Sequence, residues 1–285
     1  MIEYYRVAGI KIKITGDALP ERGSLQPFKC GHFEKPDTTI TLVSKPANIK
    51  PEYSYSDRGV NWAKLDGGSR YFCFFIEEDT IISDAVVSPD WSGIEVYFNP
   101  GVANKEYFMK PTMEALFYNI CLLHNSISLH SAAVDWRGNG ILFSAPSGTG
   151  KSTQADLWVT NYGAEYINGD RPLLKLDGEK LYVCGTAWSG SAEIYKNVCV
   201  PLAALVFLEQ YPENKIYPLD PAEALRRVLP RCFLPYNDRE MMSHAMDIIE
   251  AIIARADCWR LLCTPDIGAA ELVKKCITEN RNFKK

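Results

Sequence analysis

The chain of 285 residues lacks the features that mark several large classes of protein. No apolar run approaches the roughly 18 residues of a membrane span, and the first residues lack the pattern of a signal peptide. An excess of positive charge is missing as well, because the formal net charge is -4. Such a balance gives no general attraction to nucleic acid or to acidic membranes. We therefore expect a cytoplasmic protein that has neither nucleic acid nor a membrane as a partner.

Metal-binding cysteine patterns are also missing. None of the nine cysteines belongs to a C-x-x-C pair. Cys258 and Cys263 are the closest pair, and their C-x₄-C spacing without a matching second pair is a poor zinc site. The sequence therefore predicts scattered, reduced thiols in the protein core.

The first part of the chain carries the pattern of a β-rich region. Alternating, β-branched or aromatic runs predict strands at 10–14, 38–43, 70–76 and 93–98. A helix over 111–123 follows, because its apolar side chains recur at helical spacing and Pro111 suits a first turn. No motif with chemical meaning lies in this part. We assign residues 1–125 to a β-rich N-terminal accessory region.

The second part, residues 126–285, predicts an α/β domain with a mixed sheet. One strand is expected over 126–134, formed by 126–130 and 132–134, and further strands at 141–143, 165–167, 173–174, 181–184, 201–208 and 259–262. Helices are expected after residue 153, within 220–255 and over 268–277. In this prediction His130 lies on a hairpin strand beside the strand at 141–143. The strand at 165–167 is expected to return beside 141–143 in a βαβ-like unit.

The stretch SAPSGTGKST at 144–153 is the most informative in the chain. It stands between a predicted strand and a predicted helix, which is the setting of a loop that holds phosphate with backbone N–H groups. Lys151 can reach the β- and γ-phosphates of a nucleotide, and the Ser152 hydroxyl can bind Mg²⁺. Ala145 replaces the first glycine of the motif and fits if its φ is negative.

The loop predicts ATP and Mg²⁺ as cofactors. The expected nucleotide contacts come from the loop, the helix start and the later arginine: Ser147, Gly148, Thr149, Gly150, Lys151, Ser152, Thr153 and Arg171. Expected metal ligands are Ser152 and Asp170. The residues themselves leave ATP, GTP and pyrophosphate open as the phosphate donor.

Phosphoryl transfer also needs a group that orients or deprotonates the acceptor. Asp170 follows a short apolar strand about one helix-length after the loop, and Gly169 before it allows close backbone approach. A solvated turn aspartate is the alternative reading of this position. His130 is the third candidate, against the alternative of a hydrogen-bonded core histidine. Further basic residues that could contact phosphate or acceptor are Arg171, Lys196, Arg226, Arg227 and Arg231.

Four segments together resemble the catalytic domain of HPr kinase/phosphorylase: HSAAVD at 130–135, GILF at 140–143, SGTGKS at 147–152 and GDR at 169–171. The similarity is greater to kinase-like relatives of that enzyme, some of which accompany ribosomally made peptide natural products. The family's core is in turn similar to the nucleotide-binding part of ATP-dependent phosphoenolpyruvate carboxykinase. The resemblance covers about 126–210, with a further similarity at 259–266, and it implies a P-loop kinase core of this type.

The resemblance also implies roles for individual residues. Lys151 matches the family's loop lysine, and His130 matches the histidine at its site. Asp170 matches the second aspartate of an Asp-Asp-Arg signature, the general base toward the acceptor serine, and Arg171 matches the signature's arginine. Gly169 stands in place of the first aspartate, so that metal binding depends more on Ser152 and Asp170. Thr153 and the segment 185–191 also depart from the bifunctional enzymes.

The sequence thus predicts an ATP-dependent kinase, with Asp170, Lys151 and His130 as catalytic residues, that phosphorylates a serine hydroxyl on a protein or peptide. Two alternatives remain at this point: a small-molecule kinase or carboxykinase-like enzyme, and a non-catalytic nucleotide-binding regulator. The family resemblance further implies a homo-oligomer.

Overall fold

The computed structural model describes residues 1–16, 23–57, 59–75, 81–98, 105–190 and 193–283. Ile76 and Ser191, which end two of the segments discussed above, lie outside the described residues. The chain divides into two compact units, Met1–Ile120 with Pro235–Arg239 and Cys121–Leu234 with Glu240–Lys285. Across the described residues, no helix is both long and apolar enough to cross a membrane.

The first unit is built on a mixed sheet, with eight strands among the described residues. Their bounds are β1 Ile2–Val7, β2 Ile10–Gly16, β3 Thr38–Val43, β4 Tyr55–Asp57, β5 Val60–Lys64, β6 Arg70–Phe75, β7 Ile81–Val87 and β8 Gly93–Phe98. Their order is β1-β2-β3-β8-β7-β6-β5-β4. The pairs β2–β3 and β3–β8 are parallel, and the other neighbours are antiparallel. The prediction that this part of the chain consists mainly of β-strands is confirmed.

Alternation explains the central strands of this sheet. Along β3 every second side chain is buried, with Ile40 and Leu42 2% exposed, because successive side chains point to opposite faces. The segment 235–239 belongs to this unit through a buried ion pair, in which Arg70 Nε donates to Asp238 Oδ2 at 2.6 Å. The Arg70 guanidinium also lies 5.7 Å from the ring centre of Trp91.

Helix α1 (Lys105–Leu123) ends where the sequence predicts but begins earlier. Pro111 lies inside the helix instead of in its first turn, so the predicted start at 111 is wrong. Proline lacks a backbone N–H and normally disfavours a helix interior. The apolar stripe of Met113, Leu116, Phe117 and Ile120 is buried, which shows that packing outweighs this local preference.

The second unit contains a larger mixed sheet. Its described strands are β9 Ser126–Ser128, β10 Ser131–Asp135, β11 Gly140–Ser144, β12 Glu165–Asn168, β13 Leu173–Asp177, β14 Lys180–Cys184, β15 Cys199–Gln210, β16 Lys215–Pro218 and β17 Cys258–Cys263. The main order is β12-β10-β11-β15-β14-β13-β9, and β17 pairs with β15 and β16. The pairs β11–β15 and β15–β17 are parallel. The predicted mixed sheet is therefore confirmed.

Four helices accompany this sheet in the described part of the unit: α2 Lys151–Tyr162, α3 Pro221–Val228, α4 Arg239–Ile253 and α5 Ile267–Phe283. Asp220 caps α3, because its side chain accepts a hydrogen bond from the Glu223 N–H. Trp158 of α2 is fully buried against Trp136, Phe143 and Tyr162, at the centre of a core that the sheet shares with α2 and α5. This packing places α2 against β10 and β11.

Two expectations about the strands around the glycine-rich segment are wrong. The predicted strand at 126–134 is two strands, β9 beside β13 and β10 beside β11, and His130 lies in the bend between them. The strand β12 pairs with β10 and does not lie next to β11. The reason is the tight hairpin of β10 and β11, which already occupies that side of β11.

The prediction of reduced thiols needs one correction. Cys184 and Cys199 form a disulfide between directly opposed positions of β14 and β15. The other seven cysteines are free. Nothing in the local sequence marks this pair, because the two residues face each other only once β14 and β15 have paired.

Candidate functional site

The glycine-rich loop, residues 145–150, joins β11 to α2. Gly148 and Gly150 have φ of 77° and 110°, a left-handed backbone that favours glycine. Ala145 is not among the described non-glycine residues with positive φ, so alanine fits there as expected. A β-carbon on Gly148 would meet no atom within 4 Å, so the space over this backbone is open to a ligand.

The first turn of α2 adds donors to this loop. The first helical hydrogen bond here runs from the Gln154 N–H to the Gly150 carbonyl, at 3.0 Å. The N–H groups of residues 151–153 therefore have no partner inside the helix. Gly150, at the cap position, supplies no side chain for them. These N–H groups and the helix dipole favour an anion at this end.

Lys151 brings a cation into the same place. Its side chain is nearly buried, and its ammonium donates to the carbonyls of Ala145 and Pro146 at 3.2 and 3.4 Å. Burial lowers the pKa of Lys151, the carboxylate of Asp170 opposes that change, and the guanidinium of Arg231 adds to it. Lys151 thus lies within electrostatic reach of both Asp170 and Arg231.

Asp170 lies between two basic side chains. His130 Nε2 is 3.0 Å from its Oδ1, and Arg171 Nε donates to its Oδ2 at 3.0 Å. Burial raises the pKa of Asp170, but the hydrogen bond from His130 and the charges of His130, Arg171 and Lys151 outweigh it. The net effect is a pKa below the ordinary value for aspartate, so the carboxyl group is ionised at neutral pH.

Hydrogen bonds involving the backbone fix the positions of His130 and Asp170 relative to one another. The His130 N–H donates to the Arg231 carbonyl at 2.8 Å, and the Ser131 N–H donates to the Asp170 carbonyl at 3.0 Å. The Ser144 hydroxyl donates to the His130 carbonyl at 3.0 Å. Because Ser144 is the last residue of β11, the bend that carries His130 is tied directly to the start of the glycine-rich loop.

Asn168 positions Asp170 and was not singled out from the sequence. Its buried side-chain oxygen accepts from the N–H groups of Asp170 at 2.9 Å and Arg171 at 2.7 Å. Its Nδ2 donates to the Trp188 carbonyl at 2.9 Å, which anchors the turn to the segment after β14. An asparagine just before Gly-Asp is a local signal for such a side-chain turn.

Arg231, one of the basic candidates from the sequence, lies near the centre of the site. It ends a short 3₁₀ turn, Leu229–Arg231, and is half-buried. Among the described residues its guanidinium has no ion-pair or hydrogen-bond partner, yet it lies close enough to Lys151 to lower that group's pKa. Two cations held close together repel each other, and a polyanion between them would relieve that repulsion.

The other basic candidates from the sequence are placed elsewhere. Lys196 pairs with Glu165 at 2.6 Å, and Arg227 pairs with Glu209 and Glu223 at 2.6 and 2.9 Å. Arg226 is exposed. Of the residues that the sequence offered for the site, the structure brings together His130, Lys151, Asp170, Arg171 and Arg231.

The remaining predicted contacts surround the loop. Ser147, Ser152 and Thr153 are exposed, and Thr149 is half-buried. Within the described residues no group of three or more His, Cys, Asp or Glu side chains could hold a metal ion. Ser152 and Asp170 alone would be too few ligands for Mg²⁺, so such an ion would also need phosphate oxygens and water, which is its usual mode of binding.

The fold and the site thus define a protein of mixed α+β class, with a glycine-rich strand–loop–helix element whose Lys151 lies within electrostatic reach of an ion-paired aspartate. No protein-family model matches the chain, and no curated protein matches it. Among solved structures, the chain is similar to the Hpr(Ser) kinase/phosphatase from Coxiella burnetii, at 14% identity over 55% of this chain and 97% of that chain, with a TM-score of 0.31. The function is therefore inferred from the geometry of the site itself.

Proposed function

We propose that the protein transfers the γ-phosphate of ATP to a serine hydroxyl of a protein or peptide acceptor. The observation that carries this proposal is the position of the Asp170 carboxylate. It is held by His130 at 3.0 Å and lies within electrostatic reach of the Lys151 ammonium at the start of α2. A phosphate-binding cation and a proton-accepting carboxylate near one another are the minimum that phosphoryl transfer to a hydroxyl needs.

The loop and its lysine would bind the phosphates. The N–H groups of residues 151–153, which have no partner inside the helix, would donate to phosphate oxygens, and Lys151 would neutralise charge on the terminal phosphates. Arg231 adds a second cation on this side of the site. Since the transferred phosphoryl group carries most of the negative charge, these groups would stabilise it best as the bond to the leaving oxygen breaks.

Asp170 would orient the acceptor hydroxyl and take its proton. Each carboxylate oxygen has two lone pairs, so a hydroxyl can donate to Asp170 although His130 and Arg171 already do. The lowered pKa keeps Asp170 ionised and makes it a weak base. In a loose transition state the proton leaves late, so position matters more than base strength. His130 and Arg171 would act by holding the carboxylate in place.

Mg²⁺ would be held by the Ser152 hydroxyl and Asp170 together with phosphate oxygens, and when bound it supplies neutralisation of the developing charge. The carboxylate that the family's first aspartate would offer is missing, because Gly169 stands there. The contribution of Asp170 to metal binding is therefore larger in this proposal than in an enzyme with two aspartates.

Radiolabelled ATP incubated with the products of neighbouring genes tests the proposal directly. Label on a serine of a protein or peptide is the expected result. Label on a small metabolite would show that the protein is a phosphotransferase whose acceptor is a small molecule and not a protein or peptide. Tight ATP binding with neither hydrolysis nor transfer to any acceptor would overturn the proposal in favour of a nucleotide-binding regulator.

A further inference from the structure

A cavity of about 620 Å³ lies between the glycine-rich loop and the ends of β15 and β17. The backbone of Gly148 and Gly150 forms one wall. Gln210 and Cys263, at the carboxyl ends of β15 and β17, form the opposite wall. Because β11, β15 and β17 are parallel neighbours, this is the edge of the sheet at which α/β proteins bind their ligands.

The apolar part of the lining suits a flat ring. Tyr211, Pro212 and Pro265 line the cavity, and the tyrosine is 45% exposed. The Tyr211 N–H donates to the Cys263 carbonyl at 3.1 Å, which fixes its backbone to the end of β17. The ammonium of Lys215 lies 5.5 Å from the ring centre. An aromatic ring beside two prolines is the kind of surface on which a nucleobase stacks.

The polar part of the lining offers hydrogen bonds. Gln154 is 2% exposed and its Nε2 donates to the Thr264 carbonyl at 3.4 Å. Its Oε1 is buried and has no partner among the described residues. Buried amide oxygens in folded proteins almost always accept a hydrogen bond. An amino or hydroxyl group of a ligand in the cavity can supply the donor.

From these features we propose that the cavity binds the nucleoside part of the phosphate donor, with Tyr211 as the stacking surface for the base. This inference rests on the proposed function, because it takes the loop as the site of the donor's phosphates. The volume lies in the usual range of roughly 300–1,000 Å³ for small-molecule sites. This assignment of the cavity also distinguishes among the phosphate donors that the sequence leaves open. Pyrophosphate would leave the cavity unfilled, whereas a nucleoside triphosphate reaches both the loop and the cavity.

Calorimetric titration of the intact protein with ATP and with inorganic tripolyphosphate tests this proposal. We expect ATP to bind at least tenfold more tightly than tripolyphosphate. Tyr211→Ala should weaken ATP binding about tenfold, the typical value of one base–aromatic stack, and leave tripolyphosphate binding unchanged. Tyr211→Phe keeps the ring and should bind ATP as the wild type does.

Tyr217→Ala is the matched control, since this tyrosine is similarly exposed, at 46%, but does not line the cavity. Equal affinity of the wild type for ATP and tripolyphosphate, or unchanged ATP affinity in Tyr211→Ala, would overturn the cavity assignment alone. ATP binding that follows this pattern without phosphoryl transfer would overturn the proposed function and leave the cavity assignment standing. If the wild type bound neither compound, both would be wrong.

Discussion

Gly190 lies against the carboxyl group of Asp170. A β-carbon built on Gly190 would be 3.1 Å from both Cγ and Oδ2 of Asp170 and 3.2 Å from its Cβ. These distances are tighter than ordinary van der Waals contacts, so a side chain at 190 would have to displace the carboxylate. The glycine therefore preserves the position in which Asp170 meets His130 and Arg171.

Gly190→Ala tests whether that position matters for transfer. We expect the turnover number to fall about tenfold, since a displacement of a few tenths of an ångström disturbs the geometry of the reacting groups. ATP affinity should change less than twofold, because the loop is untouched. Gly31→Ala is the control, as its added carbon would meet no atom within 4 Å. Equal activity of both variants and the wild type would contradict the prediction.

Asp170→Asn and Lys151→Ala should separate transfer from binding. Asparagine keeps the shape of the side chain but cannot accept the hydroxyl proton, so turnover should fall by about 10² to 10⁴. Its ATP affinity should stay within about threefold of the wild type. Lys151→Ala should lose both transfer and affinity. Stopped-flow binding and single-turnover transfer measure the two quantities, and a similar loss of ATP affinity in both variants would refute this division of roles.

Arg231→Gln tests the second cation of the site. A charge-assisted hydrogen bond is worth roughly 1.5–3 kcal/mol, so we expect ATP affinity to fall about 10- to 100-fold. The pKa of Lys151 should rise at the same time, because the neighbouring positive charge is gone. Arg226→Gln removes an exposed arginine from the same part of the chain and should leave ATP affinity unchanged. Identical ATP affinities of the two variants would show that Arg231 does not contact the ligand.

Local features of this protein were readable from the sequence. The β-branched and aromatic runs at 38–43 and 93–98 match β3 and β8, because such side chains pack well on a half-buried, pleated surface. The strand–glycine–helix order around Lys151 is also local, since left-handed glycines and the helix start lie within a few residues. Pro111 misled the prediction because tertiary burial of α1 outweighs the helix-starting preference of proline.

Contacts between distant segments could not be read in the same way. The family resemblance implied only that Asp170 and His130 belong to one site. Their pairing depends on how the bend after β9 meets the turn after β12. The position of Arg231 depends on the hydrogen bond that its carbonyl accepts from the His130 N–H, and no sequence pattern predicts this bond. The disulfide of Cys184 with Cys199 likewise requires the register of β14 on β15.

The pKa of Asp170 gives a prediction with a definite sign. His130 provides the strongest of the effects that lower this pKa, so His130→Ala should raise it. A folded-state pKa below the unfolded one contributes stability at pH above the unfolded value, and this contribution is lost as pH falls through the folded pKa. Because the unfolded pKa is unchanged, this contribution should be smaller in the variant, and its loss should be complete at a higher pH.

Carbon-13 NMR titration of the aspartate carboxyl groups measures this shift. Asp90 is an internal control, because hydrogen bonds from Ser88 and Ser92 lower its pKa to about 2 independently of His130. Its titration should be the same in the wild type and in His130→Ala. An unchanged Asp170 pKa in the variant would show that Arg171 and Lys151 alone keep the carboxylate ionised.

The disulfide between Cys184 and Cys199 should stabilise the folded chain. The two cysteines are 15 residues apart, and closing a loop of that size restricts the unfolded chain by about 3 kcal/mol. Urea unfolding with and without a phosphine reductant should therefore differ by about 2–4 kcal/mol in the wild type. Cys199→Ser should match the reduced wild type and should not respond to the reductant. Cys276→Ser, which replaces a free thiol, should keep the full response. Nine reactive thiols in the denatured, unreduced wild type, instead of seven, would show that the bond does not form, and the stability difference would then vanish.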